Sequence, residues 1–423
     1  MSETVSDYDL VTDPYSIPLD GRYNVAQSFL FQQEKHWQYF DRLRKEAPVH
    51  YCSESQFGPY WSVTKYHDIM EVDTNHQIYS SEGGIVISEP DEELPLPMFI
   101  AMDPPKHDEQ RKVVSPVVSP LNLTKLESTI RSRAARLLDQ LPLGEEIDWV
   151  DNISIELTTQ MLATLFDFPF EERRRLTRWS DVTTANEESG IVDSMDQRRA
   201  ELYECLATFT EIFKQRQKKP GNNDLITMLA HGEATKDLLD RPMEYLGNLL
   251  LLIVGGNDTT RNSISGGVLA LNRYPDEYDK LRADPSLIKS MVPEIIRWQT
   301  PLAHMRRRAL VDTTLNGQKI SAGDKVVMWY VSGNRDEDAI DDPYDFIIDR
   351  KFPRRHLAFG FGIHRCMGNR LAEMQLRVVW EEIMKRFEAI EVVGEPDRLP
   401  STFVRGITKL PVVLHGKCPV GSE

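Results

Sequence analysis

A glycine-rich stretch with one cysteine, residues 359–368, constrains this chain more than any other feature. It reads F-G-F-G-I-H-R-C-M-G, and residues 369–387 follow at once with apolar side chains near helical spacing. Cys366 is therefore expected where a loop meets the start of a helix. The free N–H groups and the positive dipole end of a helix favour an anion there, so we expect the pKa of the Cys366 thiol to be lowered.

The glycines of the stretch permit a close approach by a flat partner. Gly360, Gly362 and Gly368 allow backbone conformations that side chains would block. A thiolate in such a loop can hold a heme iron from one side. A lone cysteine is more often a small buried hydrophobe. Here five further positions are fixed around Cys366, including Phe359, and they favour the iron-ligand interpretation.

The stretch resembles the heme-binding loop of the cytochrome P-450 monooxygenases, and other landmarks of that family occur in order along the chain. The resemblance implies a mainly α-helical fold with small β-sheets. Heme b would lie between a long central helix and the helix after the cysteine loop, with Cys366 as the axial ligand of its iron. We predict an irregular lead-in over residues 1–34, one large domain over residues 35–415 and a tail over residues 416–423.

Composition agrees with a single large enzyme domain. The chain has 423 residues, 40% of them hydrophobic, enough to bury a large core, and no linker or repeat divides it. A net charge of −16 argues against nucleic-acid binding. The N-terminus lacks a signal pattern, and no apolar run is long enough to span a membrane. We predict a cytoplasmic protein with no membrane anchor. The scattered cysteines give no disulfide framework and no zinc or c-type heme spacing: Cys52, Cys205, Cys366 and Cys418.

Basic residues in two places are candidates for holding the heme carboxylates. His107 and Arg111 follow Asp103-Pro104-Pro105 at a spacing that puts both on one face of a helix. A solvated face is the usual fate of such a pair, but the resemblance assigns both to a heme propionate. It also selects Arg307 and His364 as propionate contacts, with Arg306 as the alternative to Arg307.

Residues 243–271 predict a long central helix. It is apolar on all sides and is therefore buried. Its middle reads Gly255-Gly256-Asn257-Asp258-Thr259-Thr260. Two glycines there suggest a local opening that a hydroxyl or water could enter. By resemblance, Thr259 hydrogen-bonds the dioxygen co-substrate and Asp258 relays protons from solvent. From the residues alone, an ordinary polar residue and capping threonines are the alternative.

Three further charged residues are expected to be structural. Glu294 and Arg297 are spaced so that they can pair on a helix, and the resemblance adds Arg350. Buried charges must be paired. We therefore predict an ion-pair triad that locks the heme loop and takes no part in the chemistry.

Short apolar runs predict two small sheets. Residues 50–52 and 60–63 form the first, and residues 311–319, 325–329 and 391–393 the second. Residues 170–185 and 196–218 resemble the lid helices of the family. The long connection over residues 81–105 either covers the substrate or is a solvated loop.

The resemblance implies a monooxygenation, in which one oxygen atom of O2 enters a C–H bond. We find no flavin- or nicotinamide-binding extension, so electrons from NAD(P)H would arrive through a ferredoxin reductase and a 2Fe-2S ferredoxin. Basic residues around the cysteine loop would steer an acidic ferredoxin, although scattered surface arginines are the alternative. These residues are Arg354, Arg355, Arg365 and Arg370, with Arg377 beyond them.

The predicted substrate wall is apolar and suits an unbranched chain. Parts of the sequence resemble the bacterial alkane-hydroxylating branch, which implies terminal (omega) hydroxylation of medium-chain n-alkanes or fatty acids. A terpene or steroid hydroxylase of the same family is the alternative. A heme-thiolate binding or sensing protein without turnover and a peroxide-driven fatty-acid enzyme are further alternatives. The predicted wall residues are Leu251, Val254, Gly255, Leu302, Ile87 and Phe99.

Overall fold

The computed structural model describes residues 13–185, 189–221 and 223–417 as a mainly helical protein with small β-sheets. Cys418 lies outside the described residues. The helices are α1 Ser28–Gln32, α2 His36–Glu46, α3 Tyr66–Thr74, α4 Lys106–Val114, α5 Pro120–Leu138, α6 Glu156–Phe166, α7 Arg174–Thr184, α8 Met195–Lys218, α9 Leu225–His231, α10 Pro242–Arg273, α11 Pro275–Ala283, α12 Ile288–Gln299, α13 Tyr330–Gly333 and α14 Asn369–Arg386. The strands are β1 Val49–Cys52, β2 Tyr60–Val63, β3 Tyr79–Ser80, β4 Glu146–Asp148, β5 Met305–Ala309, β6 Thr313–Leu315, β7 Gln318–Ile320, β8 Lys325–Met328, β9 Phe387–Val392, β10 Asp397–Arg398, β11 Ile407–Lys409 and β12 Pro411–Gly416.

The central helix α10 begins at a proline, which suits a first helical turn, and extends one or two residues beyond each predicted end. The first half of α10 packs in one apolar cluster with residues of α5 to α9. Its second half packs in another with α11, α12 and α14. Helix α10 therefore runs through the core, as its apolar composition predicts.

The predicted local opening of α10 is not found. The backbone remains α-helical through residues 255–260. The Thr259 hydroxyl donates to the Gly255 carbonyl at 3.0 Å. A side-chain hydroxyl thus joins the helical hydrogen bonds without breaking them.

The main sheet has the order β1-β2-β8-β5-β3. Strand β8 pairs in parallel with β2 and antiparallel with β5. The prediction that residues 311–319, 325–329 and 391–393 form one second sheet was therefore wrong. They contribute to three different sheets: β6 pairs with β7, β8 lies in the main sheet and β9 pairs with β12. Pairing between segments far apart in sequence depends on how the chain returns. Strand β5, which contains Arg306 and Arg307, was not predicted at all.

Residues 13–34 of the predicted lead-in take part in the core. Helix α1 interrupts it, and the side chains of Tyr23, Leu30 and Phe31 are buried in one cluster with Val327 and Trp329. The N-terminal segment therefore covers one side of the main sheet.

The long connection after β3 joins the sheet to the predicted lid helices. The His304 ring accepts the Ile87 N–H at 3.0 Å, and Arg306 donates to the Ser88 carbonyl at 3.0 Å. Farther along the loop, Glu93 pairs with Arg199 of α8 at 2.9 Å. Among the described residues, none of the helices is long and apolar enough to cross a membrane.

Candidate active site

The cysteine loop folds back on itself just before α14. The Cys366 N–H donates to the Phe359 carbonyl at 2.8 Å, and Gly368 is the N-cap of α14. Gly360 and Gly362 have φ angles of 62° and 64°, a left-handed conformation that glycine adopts without strain. The loop thus presents an exposed free thiol close to a helix N-terminus, as the sequence predicts.

The expectation of a lowered thiol pKa is wrong for the protein by itself. Although Cys366 is exposed, the surrounding protein raises the pKa of its thiol by disfavouring the charged form. The Gly368 N–H and the charges of Arg111 and Arg365 act in the opposite direction without overcoming it. The Cys366 thiol therefore needs a bound cation to lose its proton. A metal ion at the sulfur has this effect, because it deprotonates a coordinating thiol outright.

Two buried imidazoles lie side by side near the loop. The rings of His107 and His364 are 4.3 Å apart, edge to face. Within the described residues, His107 Nε2 and both ring nitrogens of His364 are buried without a hydrogen-bond partner. Burial, with a contribution from Arg307, lowers the pKa of His364 to about 2, so its ring is neutral. A buried polar group without a partner is costly, which points to an acceptor from a bound group.

The two candidate arginines of β5 are turned to different places. The Arg306 guanidinium donates to the carbonyls of the long connection and pairs with Glu89 at 3.2 Å. Arg307 contributes to the lowered pKa of His364 and pairs with Asp73 at 2.8 Å. The geometry therefore supports Arg307 over Arg306 as the residue next to the imidazoles.

Helix α4 is fixed against α10, which positions His107 and Arg111. The Gln110 side chain accepts from Asn248 at 2.9 Å and donates to Glu244 at 2.6 Å. Arg111 donates across to the Arg365 carbonyl of the cysteine loop. The basic face of α4 is thus held at the loop by contacts on both sides.

This set of donors fits a heme. An exposed thiol suits its iron, and neutral imidazole N–H groups with guanidinium groups suit its two carboxylates. Positive-φ glycines leave the loop without side chains at two positions. The residues that would hold the group are Cys366, His107, Arg111, Arg307, His364, Phe359, Gly360 and Gly368.

One side of α10 opens onto free space in its middle. Gly255 is exposed, and a Cβ added there would meet no atom within 4 Å. Leu251, Val254 and Thr259 are half-buried around it. The neighbouring Gly256 faces packed side chains, since a Cβ there would lie 2.8 Å from Leu162. The two glycines therefore serve different purposes, one at an open wall and one in close packing.

Asp258 lies one residue before Thr259 and is buried in a polar network. Arg261 pairs with it at 2.9 Å, and Ser180 of α7 donates to it at 3.2 Å. Burial raises the pKa of Asp258 to about 6 despite Arg261. One carboxylate oxygen has no partner among the described residues. Asp258 is thus a buried carboxyl that can exchange a proton near neutral pH.

The other predicted wall residues lie in different surroundings. Leu302 is half-buried and forms a β-bridge with Val404. Ile87 is packed in the cluster of the N-terminal segment, and Phe99 in the cluster of α5 to α9. The structure therefore gives Ile87 and Phe99 packing contacts, and their place in the substrate wall stays a prediction.

The structure brings the charged triad together. Glu294 pairs with Arg297 at 2.7 Å and with Arg350 at 2.9 Å. Arg297 also donates to the carbonyls of Asn334 and Pro343. These contacts tie α12 to the segment before the cysteine loop, which is the structural role that the sequence predicts.

The predicted arginines near the cysteine loop are exposed but differ in their partners. Arg354 pairs with Glu373 of α14 at 2.8 Å, so its charge is partly balanced. Arg355, Arg365 and Arg370 are also exposed. A common basic surface formed by these arginines therefore stays a prediction, with Arg354 contributing less than the sequence suggests.

Comparison with known proteins agrees with the fold and the site. The cytochrome P450 family model matches residues 158–413. Linalool 8-monooxygenase from Pseudomonas putida is 37% identical over 402 residues, which cover 92% of this chain and 98% of that protein. A methyl-branched lipid omega-hydroxylase from Mycobacterium tuberculosis is 32% identical over 386 residues, covering 88% and 90%. The solved structure of CYP153D17 from Sphingomonas sp. PAMC 26605 is 47% identical, with a TM-score of 0.88 over 93% of this chain and 99% of that chain.

The fold and the site define a heme-thiolate oxidoreductase. The chain belongs to the cytochrome P450 family. It is a monooxygenase, in agreement with the activities named for its relatives.

Some residues of the site were not found from the sequence. Asp73 contacts the predicted residue Arg307 and Ser180 contacts the predicted residue Asp258, while Tyr330 donates to Asp73. Each lies far from its partner in sequence and belongs to no motif that we recognised. The pairing of Arg261 with Asp258 could have been predicted from the sequence, because their spacing places both on one face of α10.

Proposed function

We propose that this monooxygenase hydroxylates the terminal carbon of medium-chain n-alkanes or fatty acids. The observation that supports this most is the open side of α10, where Leu251, Val254 and Gly255 provide an apolar wall beside Thr259. Each methylene of a chain buried on such a wall contributes about 0.8 kcal/mol. A bound chain held by apolar contacts alone is fixed mainly by its length and by the shape of the wall.

The protein's own groups have separate tasks in this reaction. When bound, the heme supplies the binding and activation of O2 for insertion into a C–H bond. Cys366 would supply the sulfur ligand, and His107, Arg111, Arg307 and His364 would hold the carboxylates. The apolar wall orients the chain and excludes water, which protects the reaction from side paths.

Proton delivery falls to the polar residues of α10. Asp258, with a pKa of about 6, is protonated in part of the molecules at neutral pH and can give up that proton readily. The Thr259 hydroxyl is oriented by the Gly255 carbonyl and lies on the open side of the helix. We assign Asp258 to proton supply and Thr259 to the final hydrogen bond toward dioxygen. Such a pair is unnecessary in a protein that merely binds heme.

A terpene is the second candidate substrate. The relative that is a linalool 8-monooxygenase favours it, whereas the relative that is a lipid omega-hydroxylase favours a terminal position on a longer chain. Both substrates are apolar chains, so the composition of the wall does not separate them.

The product profile separates these candidates. The purified protein would be given octane, dodecanoic acid, linalool and a cyclic terpene, with ferredoxin, reductase and NADH, and in parallel with hydrogen peroxide alone. We expect primary alcohols from octane and omega-hydroxy acid from dodecanoic acid, with turnover dependent on the electron donors. If only linalool or the cyclic terpene were oxidised, the protein would be a terpene hydroxylase and the proposal would be wrong. Product formed with hydrogen peroxide alone would indicate a peroxide-driven enzyme. No product under either condition would indicate a heme-binding protein without turnover.

Two adjacent glycines provide a matched test of the wall. In Gly255→Val the new side chain enters open space, so we expect the preferred chain length to change with little loss of stability. In Gly256→Ala the new methyl group meets the end of the Leu162 side chain, and overpacking of this kind costs about 1–3 kcal/mol. Because alanine is favoured over glycine in a helix by about 1 kcal/mol, we expect a net loss of at most about 2 kcal/mol in the free energy of unfolding, with the product profile unchanged. An unchanged profile in Gly255→Val would remove this part of α10 from the substrate wall.

We also propose a 2Fe-2S ferredoxin as the electron donor, docked on the surface of Arg355, Arg365 and Arg370. Reversing charges by Arg355→Glu with Arg370→Glu should slow reduction of the heme by ferredoxin and weaken its salt dependence, because fewer attractive charges remain. Lys218→Glu is the matched control, since Lys218 is exposed at the end of α8, which packs against α7, α9 and α10. Equal reduction rates in all three proteins would contradict the docking surface.

A further inference from the structure

A buried carboxylate, Asp73, lies against the cysteine loop. Asp73 is 2% exposed and is the next-to-last residue of α3. One of its oxygens accepts the Phe361 N–H at 2.6 Å and the Tyr330 hydroxyl at 2.9 Å. The other accepts from the Arg307 guanidinium at 2.8 Å. A single side chain therefore joins the loop, α13 and the main sheet, the last through Arg307, one of the candidate carboxylate-binding arginines.

The shape of the cysteine loop follows Asp73 closely. A Cβ at Gly362 would lie 2.4 Å from the Asp73 carbonyl oxygen, and one at Gly360 would lie 3.1 Å from its carboxylate. Both glycines also have a positive φ. The alternating glycines of the loop motif thus have a specific neighbour in this chain, and the loop is wrapped around it.

The carboxylate and the guanidinium form a neutral pair in a buried place. Arg307 is 3% exposed and also donates to the Arg306 carbonyl at 2.8 Å. Its positive charge acts on His364, whose ring lies against His107. Removing one member of a buried ion pair leaves the other charge uncompensated, and that charge then acts on its surroundings with little screening.

We propose that Asp73 is a positioning residue that fixes the cysteine loop and Arg307 relative to each other, and that its charge, balanced against Arg307, sets the reduction potential of the heme. Reduction adds one electron, so an uncompensated positive charge nearby favours the reduced form and an uncompensated negative charge disfavours it. The net charge around a redox group is one of the main determinants of its potential. This role does not depend on which substrate is oxidised.

A cycle of near-isosteric variants tests the charge balance. Asp73→Asn leaves Arg307 unbalanced and should shift the potential in the positive direction. Arg307→Gln leaves Asp73 unbalanced and should shift it in the negative direction. The double variant replaces the ion pair by two neutral amides that can hydrogen-bond to each other, so its potential should return close to that of the unaltered protein. Tyr330→Phe removes a hydrogen bond to Asp73 without changing charge and should leave the potential unchanged.

The potentials would be measured by spectroelectrochemistry on substrate-free holoprotein, so the outcome is separate from the test of the proposed hydroxylation. Release of heme to apomyoglobin provides a second readout. An Asp73→Ala variant should lose heme about tenfold faster or more, the factor expected when a hydrogen bond to a charged group is removed.

Opposite shifts that cancel in the double variant would support the proposal. Shifts of the same sign, no shift in Asp73→Asn, or an equal shift in Tyr330→Phe would overturn it. If Asp73→Asn does not fold, the comparison of Arg307→Gln with the double variant still decides. A double variant as negative as Arg307→Gln would show that the charge of Asp73 has no effect.

Discussion

Replacing Asp258 by asparagine separates proton supply from every other task of the site. The amide is nearly the same size as the carboxyl and can keep the hydrogen bond from Ser180, but it cannot donate and regain an acidic proton. Positioned acid–base groups contribute typically 10²–10⁴-fold to a rate. We therefore expect Asp258→Asn to lower the turnover number at least about 100-fold while heme content and substrate binding stay normal.

The same variant should change how stability depends on pH. Burial raises the pKa of Asp258 from 3.8 to about 6, so the folded protein holds this proton more tightly than the unfolded chain does. The associated stability is fully present below about pH 4 and is lost as the pH rises to about 6. The difference between these two pKa values corresponds to about 3 kcal/mol. Relative to the unaltered protein, Asp258→Asn should therefore gain about that amount between pH 4 and pH 7, because the raised pKa already includes the attraction to Arg261.

Turnover would be followed with saturating ferredoxin in light and heavy water, and stability by urea unfolding from pH 4.5 to pH 7.5. Asp139→Asn is the control, because it makes the same chemical change in an exposed ion pair with Arg386. It should leave turnover and the solvent isotope effect as they were. A turnover number for Asp258→Asn within about threefold of normal, with an unchanged isotope effect, would refute the assignment of proton supply to Asp258.

Two further predictions concern the groups that hold the loop and the heme. Glu294→Ala should lower the free energy of unfolding by about 3–5 kcal/mol in urea titrations, because Arg297 and Arg350 lose their shared carboxylate in a buried place; a loss below about 1 kcal/mol would contradict the structural role of the triad. His364→Ala should release heme to apomyoglobin about tenfold faster, because a buried donor to a charged carboxylate is lost, whereas His415→Ala, which removes an exposed imidazole paired with Glu391, should release it at the normal rate.

Some parts of the site could be predicted from the sequence because the interactions that form them join residues close together along the chain. The cysteine, its glycines and the start of α14 lie within one continuous stretch, and the pair Glu294–Arg297 is a matter of helical spacing. The apolar composition of α10 required burial, and its polar residues Asp258 and Thr259 stand out against it. The extent of α10 was therefore predicted to within two residues.

Where the sequence was misleading, the reason was competition between neighbouring effects. A helix N-terminus lowers a thiol pKa, but around Cys366 the surrounding protein disfavours the charged form more strongly. Two mid-helix glycines weaken a helix, but packing on both halves of α10 holds the backbone helical. Such balances depend on the atoms surrounding a residue, which a linear pattern does not contain.

The sequence by itself predicted the cysteine loop, the start of α14 and the long buried helix, because each depends on residues a few positions apart. The tertiary structure alone decided which glycine opens onto the wall and that Asp73 meets the loop, and it supports the choice of Arg307 over Arg306. Those contacts join segments brought together from distant parts of the chain, where electrostatic and packing forces act over a few ångströms whatever the separation along the sequence.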